Sequence, residues 1–217
     1  MTDRSGRPDL VAVEFLARPA LEVAPDLLGA VIEHDGVTVR LTEVEAYAGE
    51  QDPGSHSFRG PTDRNRVMFG PPGFLYVYFT YGMHTCANVV CGTDGESQAV
   101  LLRAGEVLTG LDEARSRRTS ARTGQVPSDR DLARGPARLA KALGLTMNDY
   151  GADLLGGSAV RLVAPDGPPD PGAIATGPRV GVRGVGGDGT AYPWRFWLRD
   201  EPTVSPYRPA APLRQRQ

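Results

Sequence analysis

Two stretches of alternating residues, each folded back at a glycine, constrain this chain to β-hairpins. Ala30 to His34 and Val37 to Tyr47 flank Asp35-Gly36, a dipeptide that favours a two-residue hairpin turn. Residues 74–79 and His84 to Val90 flank Tyr81-Gly82-Met83, and Thr93-Asp94-Gly95 then turns the chain into an apolar strand from Ala99 to Ala104. Along residues 74–79 both Phe74, Tyr76, Tyr78 and Leu75, Val77, Phe79 are largely apolar, which predicts a strand interior along most of its length. A period of two puts Val37, Val39, Leu41, Glu43, Glu45 and Tyr47 on one face, so an apolar face is expected to run into two carboxylates. A carboxylate at the edge of an apolar surface is costly unless it is paired or used. Glu43 and Glu45 are therefore candidates for a general base and for partners of an arginine, and on the pattern alone a buried ion pair is the simpler reading for each.

The side chains able to do chemistry gather between Leu41 and Arg103, and all three histidines and most tyrosines lie between Glu33 and Arg103. Carboxylates, imidazole, aromatic planes and guanidinium in one segment point to a polar pocket with stacking walls, suited to a flat heterocycle. Between Gly49 and Gly73 the Gly, Pro, Asp and Asn content predicts a long loop carrying His56, Arg59, Arg64, Asn65 and Arg66. Loops of this length inside a compact domain are usually functional. An aromatic residue such as Tyr81, projecting from a hairpin turn, has no core to fill; wedging between base steps would explain its place.

A chain of 217 residues is expected to form one domain over 1–217, with frayed tails at 1–10 and 210–217. Its apolar runs are far too short for a membrane span and its first residues carry no apolar signal region, so a cytosolic protein with no membrane role is expected. Cys86 and Cys91 read as free thiols, and the paired cysteine spacings of a zinc site are missing, so neither metal nor cofactor is expected. The net charge of −2 gives no bulk attraction to nucleic acid, yet from Arg103 to Lys141 nine basic residues face five acidic ones. That segment is either a phosphate-binding stripe or a solvated helix face. Ser128 with Asp131 resembles a helix start, and Pro136, Leu139, Ala142, Leu143 and Gly144 outline a short amphipathic helix. Arg179 to Arg183 reads as a short strand, Gly184 to Gly189 as a flexible turn and Trp194 to Leu198 as a closing strand.

Taken in order, Thr42-Glu43-Val44-Glu45-Ala46-Tyr47, His56-Ser57, Arg64-Asn65-Arg66 with Met68-Phe69, residues 72–78, Tyr81-Gly82-Met83, Asn88, residues 100–104, Gly135-Pro136 and Arg179-Val180-Gly181-Val182 resemble the alkyladenine (3-methyladenine) DNA glycosylases of the mammalian type, which also occur in bacteria. The resemblance runs from about Phe15 to Tyr207. It implies an α/β domain on a curved, mainly antiparallel sheet with flanking helices and a β-hairpin entering the DNA minor groove, acting as a monomer on duplex DNA that contains damaged purines. It further implies that Glu45 activates water, with Arg103 and the backbone of Val182 orienting it. Tyr47, His56 and Tyr78 would wall the pocket of the flipped base, Tyr81 with Met83 would fill the vacated stack, and Asn88 would screen out the amino group of normal guanine. Arg64, Asn65 and Arg66 are candidate phosphate contacts. His84 stands where an aromatic residue is expected and Arg183 where a small one is, and Arg115 to Arg122 align only loosely.

These groups suit cleavage of an N-glycosidic bond, in which water attacks an oxocarbenium-like sugar and one carboxylate takes its proton. A purine alkylated at N3 or N7 is already cationic and leaves readily, which frees Glu43 for structure. Tyrosine faces favour such a cation by about 0.5–2 kcal/mol per contact. A non-catalytic reader of damaged DNA would keep the tyrosines but would not need Glu45 or Arg103, and the wedge argues against an RNA- or nucleotide-binding enzyme.

Overall fold

A computed structural model describes residues 9–80 and 82–210. Among the described residues eight strands build one open sheet whose ladders are all antiparallel: β1 Val31–His34, β2 Val37–Tyr47, β3 Leu75–Thr80, β4 His84–Val90, β5 Ala99–Thr109, β6 Arg161–Val163, β7 Ile174–Gly177 and β8 Arg195–Leu198. Four helices accompany them: α1 Val13–Leu16, α2 Ala20–Asp26, α3 Leu111–Arg118 and α4 Pro136–Leu143. The strands lie in the order β3-β4-β5-β2-β1-β6, with β8 added to β2 and β7 to β8. The expected mixed α/β class is observed. The first hairpin turns on Asp35 and Gly36, both at positive φ (44° and 77°), the geometry that Asp-Gly adopts most readily.

β2 is the strand on which the rest depends. β5 runs along nearly all of it, while its other edge is shared between β1, opposite Val37 to Arg40, and β8, opposite Glu43 to Glu45. Against β5 the register slips by one residue between Leu41 and Glu43 and returns between Glu43 and Val44. Irregularities of this kind re-aim side chains. The residues that join the main core are Val37, Val39 and Leu41, and then Val44 and Ala46. The expected single face from Val37 to Tyr47 is thus corrected: the alternation changes phase at the slip, and Glu43 and Glu45 leave the apolar layer.

That layer is closed by α2, through Ala20, Val23 and Ala24, and by α4, through Leu139, Ala140, Ala142 and Leu143, all fully buried. Each such leucine or valine contributes about 1.5–3 kcal/mol relative to exposure. α4 ends at Gly144, whose φ of 75° suits a left-handed cap. A smaller cluster packs Met68 of the 49–73 loop, whose only helical turns are Gly49–Gln51 and Arg66–Phe69, against Tyr76, Val90 and Ala99.

Several elements differ from expectation. β3 is an edge strand, buried only from Leu75 to Val77, whereas Phe79 is 52% exposed. Its start is covered because Leu75 donates to the Ala152 carbonyl and accepts from Gly151, and this strap does not reach the hairpin end. β5 continues past Ala104 to Thr109. Ser128 and Asp131 belong to a single 3-10 turn, Asp129–Asp131, and α4 starts anew after Gly135. Residues 179–183 form a loop rather than a strand, because Arg179 turns into the interior and Gly181 adopts a φ of 74°. Gly184 to Gly189 contains a defined 3-10 turn, Val185–Gly187. The chain is anchored from Asp9, whose carbonyl accepts from Ala164, and Leu10 bridges to Val163; the remaining tail residues, 1–8 and 211–217, lie outside the described residues, as does Tyr81. Cys86 and Cys91 are free and buried, and burial pushes their thiols up to about 11 and about 12. Among the described residues no helix is long and apolar enough to cross a membrane.

Candidate active site

Past the phase change, β2 presents Glu45, fully buried, at a cavity of about 550 Å³. One oxygen, Oε1, accepts the Val180 N–H at 2.7 Å and lies 3.2 Å from Arg103 Nη1. The other, Oε2, accepts the Tyr47 hydroxyl at 2.9 Å. Two hydrogen bonds and an ion pair hold this carboxylate in a single orientation. Burial, then the adjacent Glu45 charge, push the Tyr47 phenol well above its ordinary value, so it stays a proton donor.

Glu43 sits behind this group and orders it. It accepts Arg103 Nε at 2.7 Å, Arg195 Nε at 2.6 Å, and the Ser205 N–H and hydroxyl at 2.7 and 3.0 Å. Arg103 therefore bridges both carboxylates. Burial alone would lower the Arg103 pKa, but Glu45 and Glu43 outweigh it and keep the guanidinium charged. For Glu43 burial favours the neutral acid, yet Arg103, Arg195 and Ser205 together hold its pKa below the ordinary 4.5. A carboxyl whose folded pKa is depressed stabilises the fold above its unfolded pKa and loses that contribution as pH falls through the folded one. Glu43→Gln should accordingly lower stability at neutral pH and flatten the decline of stability below about pH 4.5. Urea midpoints that fall in parallel for parent and variant from about pH 5 to pH 3 would assign the acid sensitivity to other groups.

The 49–73 loop and β3 supply the wall. His56 meets the Tyr78 ring edge-on, with centroids 4.6 Å apart, and its Nδ1 lies 3.2 Å from the Tyr76 hydroxyl. Tyr76 and Tyr78 stack at 5.4 Å. Burial, then the Arg64 charge, lower the His56 pKa, so the imidazole is neutral at pH 7. Asn88, nearly buried on β4, lines the cavity and donates Nδ2 to the Tyr76 carbonyl at 3.1 Å.

Of the residues singled out in the sequence, Glu45, Tyr47, His56, Tyr78, Asn88, Arg103 and Val182 all line this one cavity. The backbone group that meets Glu45, however, is the amide of Val180, two positions before Val182. Asn65 is 1% exposed, and its amide joins Thr62, His56 and Gly60 within the loop, so the fold gives it a bracing position. Arg64 donates to the Phe79 carbonyl beside the hairpin, and Arg66 pairs with Asp63 on the surface. Met83, at the hairpin turn, is 71% exposed. In the basic segment, Arg115 pairs with Asp112 and Asp129, Arg117 with Glu113 and Asp35, and Arg134 with Asp131, which favours the mixed, internally paired surface over a free phosphate stripe.

Comparison with known proteins gives this arrangement its context. A family model described as methylpurine-DNA glycosylase (MPG) matches residues 14–202. The chain belongs to the methylpurine-DNA glycosylase family. A Streptomyces avermitilis relative is 54% identical over 210 residues, covering 94% of each chain. One from Leifsonia xyli subsp. xyli is 57% identical over 199 residues, 89% of this chain and 90% of its own. A third, from Nocardia farcinica, is 52% identical over 212 residues, 94% and 95%. All three carry the name "Putative 3-methyladenine DNA glycosylase". As a member of the methylpurine-DNA glycosylase family the chain is a DNA glycosylase, and the family match spans every cavity residue from Glu45 to Arg183. Ser205, which completes the shell around Glu43, lies past its end.

Sequence reasoning missed the groups that hold the site together. Arg179 and Asp52, both fully buried, pair through two hydrogen bonds, and Arg179 also donates to the Ala46 and Gly186 carbonyls. The Arg179 guanidinium packs on the ring of Tyr47, 4.6 Å from its centroid. Asp52 reads as one more turn residue in a Gly/Pro loop, and Arg195 as an ordinary residue of the closing strand. The only signal was that Arg179 opens the Arg-Val-Gly-Val segment on which the family resemblance partly rests.

Proposed function

We propose that this methylpurine-DNA glycosylase flips alkylated or deaminated purines of the 3-methyladenine, 7-methylguanine, hypoxanthine and ethenoadenine class out of duplex DNA and hydrolyses their glycosidic bond, as the first step of base excision repair. The observation that carries the reading is a buried carboxylate at an aromatic-lined cavity, held by two hydrogen bonds and an ion pair with Arg103. Glu45 takes the proton of the attacking water, and its negative charge faces the sugar as positive charge develops. Arg103 and the Val180–Val182 backbone position that water. Tyr47, His56 and Tyr78 enclose the base, returning part of the few kcal/mol that flipping costs. Asn88 meets the position where guanine carries its exocyclic amine, and its bond to the Tyr76 carbonyl keeps it there. The exposed hairpin turn around Met83 enters the minor groove, with Tyr81 filling the hole and Arg64 and Arg66 meeting phosphates. The enzyme works as a monomer on damaged duplex.

The reaction is hydrolytic and leaves the strand intact. Strand-cutting glycosylases attack C1′ with an amine to form a Schiff base, and that needs an amine of lowered pKa in the pocket. Lys141, the only lysine, is exposed on α4 and does not line the cavity. Base-release assays on alkylated and hypoxanthine duplexes should therefore give free base and an alkali-labile strand, and borohydride added during turnover should trap no protein–DNA adduct. A robust adduct that vanishes on Lys141→Ala would overturn the assignment, and release from RNA as readily as from DNA would overturn the substrate class.

A further inference from the structure

Two of the tyrosines that line the cavity, Tyr47 and Tyr78, each have an arginine packed on the ring that does not itself line the cavity. The guanidinium carbon of Arg64 lies 5.5 Å from the Tyr78 centroid and that of Arg179 4.6 Å from the Tyr47 centroid. Both rings line the Glu45 cavity and neither arginine does. Arg64 instead lines a neighbouring groove of about 570 Å³ with Val77, Phe79, Met147 and Tyr150, which Tyr78 also lines. Its charge is nevertheless felt inside the cavity, where after burial it is the second cause of the lowered His56 pKa. A cation on one face of an aromatic ring engages the same quadrupole that a cation on the opposite face would use, and the two positive charges repel through the ring.

We infer that these arginines, Arg64 foremost because Asp52 neutralises Arg179, lower the cavity's preference for positively charged purines, so that it admits neutral lesions such as hypoxanthine on fit and hydrogen bonding rather than selecting for charge. The inference rests on the reading of the cavity as the site of the flipped base. It reverses the expectation that bare tyrosine faces reward a cationic base. Arg64 is the residue at which to test it, because it is exposed at the surface whereas Arg179 is locked in the interior.

The experiment compares kcat/KM on two duplexes of one sequence, carrying 7-methylguanine (cationic) or hypoxanthine (neutral), for the parent, Arg64→Gln and Arg64→Lys. A lost phosphate contact slows both substrates alike and cancels in their ratio, which a merely structural or DNA-binding role would leave unmoved. Arg64→Gln should raise the ratio of 7-methylguanine to hypoxanthine release by about three- to tenfold, and Arg64→Lys should stay within about twofold of the parent. An unchanged ratio in Arg64→Gln, or an equal rise in Arg64→Lys, overturns the inference. A parent that releases neither base defeats the reading of the cavity itself, whereas a parent that releases both at a ratio indifferent to the charge at position 64 defeats this inference alone.

Discussion

Glu45→Gln should bind damaged duplex about as well as the parent while losing base release by about 10²- to 10⁴-fold, the usual contribution of a positioned general base. The amide fits the same space. Its carbonyl can take the place of Oε1, accepting from Val180 and facing Arg103, and its NH₂ can donate to the Tyr47 oxygen where Oε2 accepted before. The tyrosine wall and the His56 contact should persist, so binding that depends on them should too. What disappears, with Glu45 as the base we propose, is the carboxylate that takes the water's proton, together with the negative charge facing the developing oxocarbenium ion. Single-turnover release, with binding measured in parallel, separates the two effects. A Gln variant that cleaves near the parent rate would remove Glu45 from the mechanism, and one that fails to bind would give it a structural task instead.

How far the site could be read in advance depended on the range of the interactions involved. The two hairpins were legible because an Asp-Gly turn, a glycine at a hairpin tip and a period of two are local features. The phase change in β2 was not, since it arises from a slipped register against β5, some sixty residues away in the chain. It decides that Glu43 and Glu45 face polar partners and not the apolar layer. β3 looked interior because both its faces are apolar, but its place at the sheet edge is set by which neighbours it lacks, a tertiary fact. Val180 and Val182 looked like a strand for the same local reason, and only the inward turn of Arg179 shows that the Val180 backbone serves the carboxylate instead.

The Arg179–Asp52 pair should prove the most costly part of the site to break. Arg179 lies in the loop between β7 and β8 and Asp52 at the start of the 49–73 loop, 127 residues apart in the chain, so their bond ties together the two loops that flank Glu45. Neither side chain is exposed. Burial would lower the arginine's pKa, but Asp52, with Tyr47 and Glu45, keeps it charged, and Asp52 in turn braces its own loop by accepting from Gly54 and Ala48. Removing one member of such a pair leaves a buried charge without a counter-ion, at about 3–5 kcal/mol. Asp52→Ala should then lower Tm by roughly 6–20 °C in a chain of this size. A double variant, Asp52→Ala with Arg179→Met, should recover part of that stability, because replacing both charges by apolar groups avoids the stranded ion. It should not recover activity: without the guanidinium bonds to Ala46 and Gly186, the Val180 amide is no longer held against Glu45 and Tyr47 loses the cation packed on its ring. Thermal and urea unfolding of both variants, with base release on the same samples, decides the matter. A single variant within about 1 kcal/mol of the parent would show that Arg179 finds other partners, and a fully active double variant would show that the loop carrying Val180 is held in place without the arginine.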